Sequence, residues 1–270
     1  MSFTRIKSQL HPLQQGLKLL ADKYAVTLPT DWHLSHSLQS PANTRMLMLP
    51  GWAVCDQLSP SSDIHPLLPW QEERRFVELR QIVQQGTIEH VSMWRSRWLV
   101  PDGTLTLPQA IYREAGICQW VLDSPATSVF ATIRGTSAAN VILRLENGVT
   151  CGIEIGRAPA DAPATVDRHE IIAQRGVASD QVVDCEVRPS SIYVMTDSAA
   201  KTYTDVDHEL FGLNEQQAAI VHTAFTALKT LDAFTADRTI HEQLAHLTAL
   251  AIESDRSQQR LDVLTIGGVV

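Results

Sequence analysis

Several features that would tie a chain to a membrane, a nucleic acid or an oxidising compartment are missing from this sequence. No run approaches the roughly 18 apolar residues of a membrane-spanning helix, and residues 1–16 lack the apolar core of a signal peptide. Lys and Arg are scattered and number 22 against 30 Asp and Glu, which gives a formal net charge of −8. We therefore expect neither a membrane nor a nucleic acid as a partner.

Cysteine is scarce as well. The four cysteines lie far apart in the chain and form no C-x-x-C pair: Cys55, Cys118, Cys151 and Cys185. This spacing excludes a zinc ribbon and a thioredoxin-type motif. Scattered single thiols are typical of reducing compartments, so we expect a soluble, cytoplasmic protein.

The chain has no Gly-x-Gly sequence either. Dinucleotide-binding turns use such glycines so that the backbone can approach the pyrophosphate at the N-terminus of a helix. We therefore expect that the isolated chain binds neither NAD nor NADP, and we assign it no cofactor.

What the sequence does contain is a strand-rich region after Ser128. Residues 141–156, VILRLENGVTCGIEIG, place two apolar runs around Asn147-Gly148. Asn and Gly both tolerate the positive φ of a type I′ turn, so this stretch predicts a tight β-hairpin. More β-like runs follow with short connections, which favours antiparallel pairing.

Helical periodicity appears in five other segments, and two of them carry recognisable end signals. The helices are expected at residues 10–24, 71–86, 107–122, 214–231 and 237–252. Gly86 is well placed as the residue just beyond the second helix, and Asn214 with Gln217 forms a variant capping box. Residues 28–45 and 55–70 are rich in turn formers and proline, and we interpret them as loops or linker.

Together these elements predict an α+β fold. We expect an open, mostly antiparallel β-sheet built from residues 87–206 and 261–266, with helices on one face and the other face open. An open sheet face is usually buried by dimerisation or used for ligand binding.

From Arg75 onward the chain resembles the C-terminal half of the glucose–fructose oxidoreductase / inositol dehydrogenase / rhizopine catabolism family (Gfo/Idh/MocA). The resemblance rests on the order of FVELRQIVQQGTIEHV, GICQWVLDSPATSVFATI and the hairpin VILRLENGVTCGIEIG, and it spans about residues 67–266. It implies two units. Residues 1–66 would be a truncated remnant of a nucleotide-binding domain plus a linker, and residues 67–270 an oxidoreductase C-terminal-like sheet domain.

The resemblance also implies where catalytic residues should lie. The family's catalytic lysine follows a Glu, but the residue nearest to it by spacing, Lys7, lies in Ile-Lys-Ser. Matching Trp120 to the family tryptophan puts the catalytic His position at Arg113 and the Asp position at Gly116. Arginine cannot act as a general base at neutral pH. We assign no catalytic residue, and Lys7 is the one candidate.

Two groups of residues are candidate metal ligands. His33 and His36 are three residues apart and could form a half-site, with His65 as a third ligand. The second group could hold a hard cation and comprises Asp205, Asp207 and His208. Solvated loop histidines and a surface turn are the favoured interpretations, so we assign no metal site.

Two functions remain open. The first is a non-catalytic, oxidoreductase-related protein that serves dimerisation, regulation or ligand binding. The second is the substrate and dimerisation subunit of an NAD(P)-dependent sugar or polyol dehydrogenase whose Rossmann domain is on another chain.

We expect a homodimer through the open sheet face, with a separate nucleotide-binding chain as the other possible partner. In the hairpin, Val141, Leu143 and Leu145 are expected to point one way, and Ile142 and Ile153 the other.

Overall fold

A computed structural model describes residues 12–101, 104–159, 166–180, 191–196, 199–204, 212–230 and 233–263. The helices in these residues are α1 (Pro12–Lys23), α2 (Arg74–Gln84), α3 (Leu107–Val121), α4 (Glu215–Lys229) and α5 (Ala233–Ser257). The strands are β1 (Trp32–Leu34), β2 (Met46–Pro50), β3 (Ile64–Leu67), β4 (Val91–Pro101), β5 (Ala126–Arg134), β6 (Ala138–Leu145), β7 (Thr150–Ala158), β8 (Asp167–Ala173), β9 (Gly176–Ser179), β10 (Ser191–Thr196), β11 (Ala199–Thr204) and β12 (Leu261–Asp262).

The larger of two sheets confirms the predicted fold class. Its strand order is β11-β10-β9-β8-β4-β7-β6-β5-β12, so it is open at both ends. The central pair β4–β7 is parallel, and the other neighbouring pairs are antiparallel.

Helices cover one face of this sheet. In β4 the side chains of Trp94 and Trp98 are buried, while Arg95 and Arg97 between them face outward. Alternation of this kind follows from the two-residue period of a strand with one covered face. On the covered side α3 packs against β6 and β7, and α5 packs against β5.

The hairpin lies where the sequence predicts it, but its turn is of another type. Gly148 has φ +87°, whereas Asn147 is not in the left-handed region. The amide of Gly148 donates to the carbonyl of Leu145 at 3.0 Å, and the amide of Leu145 donates to the carbonyl of Val149 at 2.9 Å. This is a three-residue loop closed by a glycine bulge rather than a two-residue type I′ turn.

The hairpin register also corrects the expected orientation of Ile153. Ile153 pairs with Val141, and Ile142 pairs with Gly152. Directly paired residues point to the same face of a sheet, so Ile153 lies under the helices with Val141, Leu143 and Leu145. Ile142 does face outward, as expected.

A second, smaller sheet is also present, and two of its strands, β1 and β3, lie in segments that the sequence predicts to be loops or linker. Its strands are all parallel and run in the order β1-β2-β3. They are three to five residues long, too short to show a period, and β3 contains Pro66. Proline is tolerated there because β3 is an edge strand. The division of the chain at residue 66 remains a prediction.

The helix ends follow the local sequence closely. Asn214 and Gln217 form the predicted capping box of α4, and Gly86 follows α2 with φ +64°. Thr106 and Gln109 form a second capping box at α3, which the sequence analysis did not single out. None of these helices has the length and apolar character needed to span a membrane.

Candidate functional site

Seven charged or titratable side chains meet beneath the covered face of the larger sheet. They come from the start of α2, the middle of α3, β8 and the residue after β9, and we call them the buried ion cluster. Its members are Glu73, Arg75, Arg113, Glu114, Asp167, His169 and Asp180. All are buried except Asp167, whose side chain is 27% exposed.

His169 is the centre of the cluster. Its Nδ1 lies 2.5 Å from Asp180 Oδ2, and its Nε2 lies 3.0 Å from Glu114 Oε2. The other carboxylate oxygen of Asp180 accepts the backbone amide of His169 at 2.7 Å. The ring packs edge-on against Phe76 and lies beside Trp94. The imidazole is therefore fixed in position and orientation.

The carboxylates decide the charge of this imidazole. Burial by itself would lower the pKa of His169, but Asp180 and Glu114 outweigh it and raise the pKa from 6.5 to about 10. Burial also opposes ionisation of Glu114, yet His169 and Arg113 keep its pKa below the ordinary value. With a proton on Nε2, His169 is therefore a cation at neutral pH, and the Glu114 carboxylate that it contacts is ionised.

Two guanidinium groups hold the remaining carboxylates. Asp167 Oδ2 accepts from Arg75 Nη2 at 2.6 Å and from Arg113 Nη2 at 3.2 Å. Arg75 also donates to Asp180 Oδ2 at 3.1 Å, and Arg113 donates to Glu114 Oε1. Burial opposes the charge of Asp167, but the two arginines hold its pKa far below the ordinary range.

A second set of hydrogen-bonded side chains joins α5 to α3 and to the segment that precedes α2. Tyr112 Oη lies 2.8 Å from His241 Nδ1, and His241 Nε2 lies 2.9 Å from the carbonyl oxygen of Gln57. Arg238 donates to the carbonyls of Pro60, Ser61 and Ile64. We call this arrangement the α5 clamp. Tyr112 and His241 are fully buried, so we interpret the described contacts of the α5 clamp as structural.

The outward face of the larger sheet carries a shallow charged pocket of about 80 Å³, lined by Arg95, Arg97, Arg168 and Glu170. Glu154 lies 3.2 Å from both Arg95 and Arg97. Arg168 pairs with Glu170 along β8. The arginines therefore lie beside carboxylates of their own sheet.

Of the candidate site residues singled out from the sequence, the structure describes His33, His36 and His65. Lys7, Asp205, Asp207 and His208 lie outside the described residues. His33 lies in β1 and is half-buried, and burial lowers its pKa. His36 follows β1 and is exposed.

His65 does not join His33. His65 pairs in register with Met48, while His33 pairs with Leu47. Met48 and Leu47 are consecutive, so the two histidines point to opposite faces of the small sheet. His65 instead lies 3.3 Å from the carboxylate of Asp237 on α5.

The buried ion cluster was not predicted from the sequence, although two features of the sequence point to it. His169 has the same parity as the buried Ile171 in β8. Arg113 and Glu114 are the charged residues of α3, a helix that is buried on nearly all sides. Charges at such positions need partners.

The sequence itself matches no protein-family model and no curated protein. Its structure, in contrast, is similar to solved dehydrogenases. A probable dehydrogenase from Thermotoga maritima superposes with a TM-score of 0.61 at 13% identity, over 93% of this chain and 89% of that chain.

Two further structures extend the similarity to enzymes of known substrate. Levoglucosan dehydrogenase in complex with NADH and L-sorbose has a TM-score of 0.62 at 12% identity, over 91% of this chain and 83% of that chain. Scyllo-inositol dehydrogenase from Lactobacillus casei has a TM-score of 0.53 at 14% identity, over 74% of this chain and 64% of that chain. At these identities the similarity shows the fold alone. That fold is the one of Gfo/Idh/MocA-type oxidoreductases.

Proposed function

We propose that this chain is a non-catalytic protein on an oxidoreductase fold, which forms a homodimer through the outward face of its larger sheet. The observation that carries the proposal is the identity and pairing of the charged residues in the middle of α3. Where the family resemblance implies a catalytic His and Asp, the chain has Arg113 and Gly116, and Arg113 is buried and ion-paired with Glu114 and Asp167. Arg113 stays protonated at neutral pH, and Glu114 is held ionised by His169 and Arg113.

The outward sheet face supports the dimer. Three large apolar side chains on this face are well exposed: Met93 at 41%, Ile142 at 43% and Val177 at 40%. Val177, Ile172 and Met93 pair in one row across β9, β8 and β4, which makes a continuous apolar strip. A stable interface would cover about 800 Å² of each partner.

The charges on the same face suit a two-fold pairing. A two-fold axis brings the same surface of both copies together, so that surface must be complementary to itself. Arg95, Arg97 and Arg168 share this face with Glu154 and Glu170 over three strands. Each copy therefore offers carboxylates to the arginines of the other.

One preparation tests both parts of the proposal. Light scattering on the purified chain at micromolar concentration should give twice 29.9 kDa. Titration with NADH, followed by energy transfer from the tryptophans, should give no saturable signal, because the sequence offers no glycine-rich turn for the pyrophosphate. Saturable binding in the micromolar range would overturn the non-catalytic assignment.

The second candidate is a subunit whose Rossmann domain is on another chain. The small parallel sheet favours it, because within the described ranges β1 is an edge strand that could pair with a further parallel strand. Under this alternative the isolated chain has the mass of a monomer. It would bind NADH only after a nucleotide-binding partner is added.

A further inference from the structure

Three side chains of the buried ion cluster converge on one point. Glu114, Asp167 and His169 each offer one ligand atom, and these atoms all lie within 4.8 Å of one another. Glu114 Oε2 lies 3.0 Å from His169 Nε2, which lies 3.7 Å from Asp167 Oδ1. Ligand atoms around a tetrahedral zinc ion with bonds near 2.1 Å are about 3.4 Å apart. The separation between Glu114 Oε2 and His169 Nε2 is slightly shorter than this value, and that between His169 Nε2 and Asp167 Oδ1 is slightly longer.

The other polar atom of each of these side chains is already anchored. Arg113 holds the second oxygen of Glu114, and both arginines hold the second oxygen of Asp167. Asp180 holds Nδ1 of His169 at 2.5 Å. A carboxylate on the far nitrogen of a histidine is the usual outer-shell partner of a metal-bound imidazole. The three converging atoms are thus oriented by contacts that a metal ion would leave in place.

Asp167 Oδ1 is the atom that hydrogen bonding does not explain. It is buried, yet it accepts no hydrogen bond within the part of the chain that the structure describes. A buried acceptor without a donor is unfavourable by about 1–3 kcal/mol. A cation between Asp167 Oδ1 and His169 Nε2 would satisfy this oxygen.

The charges of the cluster also favour a cation. Its four carboxylates, those of Glu73, Glu114, Asp167 and Asp180, face the two guanidiniums of Arg75 and Arg113. A proton on His169 leaves one negative charge unbalanced, whereas a divalent ion on a neutral imidazole balances all of them. An unbalanced buried charge is strongly unfavourable.

From this geometry we propose that Glu114, Asp167 and His169 bind a divalent transition-metal ion, with Zn²⁺ as the best match. One imidazole with two carboxylates suits zinc, whereas magnesium and calcium prefer oxygen ligands alone and in larger number. The partly exposed Asp167 provides the path of entry. Since α3 carries Glu114 and β8 carries the other two ligands, the ion would tie this helix to the sheet. The inference does not depend on the proposed function.

Metal binding to the untagged full chain tests the proposal. After treatment with a chelator and dialysis, the chain should take up one equivalent of Zn²⁺ with a Kd below about 1 µM, measured by competition with a chromophoric chelator. Zinc in excess should raise the melting temperature by about 5 °C, because it binds the folded state. X-ray absorption of the Co²⁺ form should show one imidazole among oxygen ligands.

Two variants separate this site from adventitious binding. Asp167→Asn, which removes one ligand charge and keeps the side-chain size, should weaken Zn²⁺ binding at least about tenfold. The double change His33→Ala with His36→Ala should leave binding as it is. Binding that survives the first change and is lost with the second would overturn the proposal, and so would a natural chain that takes up no metal. If Asp167→Asn does not fold, the Co²⁺ spectrum decides, and two or more imidazoles in it would refute the site.

Discussion

Ile142 and Ile153 carry the same side chain on adjacent strands of one hairpin, yet they lie on opposite faces of the sheet. Ile153 is fully buried under the helices, and Ile142 is 43% exposed on the outward face. The sequence alone did not relate them, because the first run of the hairpin has apolar residues at both parities and the register between the two runs depends on the turn. The actual turn, a three-residue loop, set the register that places Ile153 opposite Val141.

This difference gives a matched pair of substitutions. Ile153→Asp should lower the free energy of unfolding by more than about 4 kcal/mol, since it buries a charge without a partner. Ile142→Asp should change it by less than about 0.5 kcal/mol, measured in both cases by urea denaturation at a concentration that keeps the chain monomeric. Equal losses in the two variants would mean that the hairpin register is different.

The helices and the small sheet differ in how far the sequence predicts them. The Asn214–Gln217 box and Gly86 act over three or four residues, so local chemistry is enough to identify α4 and the end of α2. The strands β1 to β3 have no such local signal and form because they are packed by the rest of the chain. The hydrophobic core is continuous from Leu17 of α1 through Met48 of β2 to Trp94 of β4.

The contacts within the buried ion cluster are even less predictable from the sequence than the strands of the small sheet. Glu114 and His169 are 55 residues apart, and Arg75 and Asp180 are 105 apart. No periodicity connects such positions, and they meet only because the fold brings α2 and α3 together with β8 and the end of β9. The sequence could show that these charges need partners, but the identity of each partner follows from the sheet topology.

The α5 clamp should make the stability of the protein depend on pH in the acidic range. Burial lowers the pKa of His241 below 6.5, although the hydrogen bond to Gln57 and the charge of Glu242 oppose this and Arg238 adds to it. A histidine whose pKa is lower in the folded state stabilises the protein above its unfolded pKa, and this contribution is lost as pH falls. We therefore expect the melting temperature to decrease from pH 7 to pH 5.

The variant His241→Gln isolates this effect. Glutamine cannot take up a proton, so the variant should show a shallower decrease over the same pH range, even though it is less stable at pH 7. His246→Gln, on the same helix and outside the clamp, is the control and should keep the slope of the natural chain. If His241→Gln and the natural chain have parallel pH profiles, His241 is not the group that titrates.

The whole molecule is acidic, but its outward sheet face combines an apolar strip with paired charges of both signs. The strip of Val177, Ile172 and Met93 lies at one end of this face, beside the pocket lined by arginines. A solvated surface has no need of such a strip, whereas a second copy of the chain would bury it. If the proposed dimer forms here, a charge introduced into the strip would be buried in the interface. It would also face the same charge on the second copy, because a two-fold axis brings the same surface of both copies together.

Met93→Asp should therefore shift the mass measured by light scattering from twice 29.9 kDa to 29.9 kDa at micromolar concentration. The matched control is Leu19→Asp, because Leu19 is a similarly exposed apolar residue that lies on α1, away from the sheet. The control should keep the dimer mass, and the circular dichroism of both variants should equal that of the natural chain, because neither side chain is buried in the core. A Met93→Asp chain that remains dimeric while Leu19→Asp dissociates would move the interface from the sheet to α1.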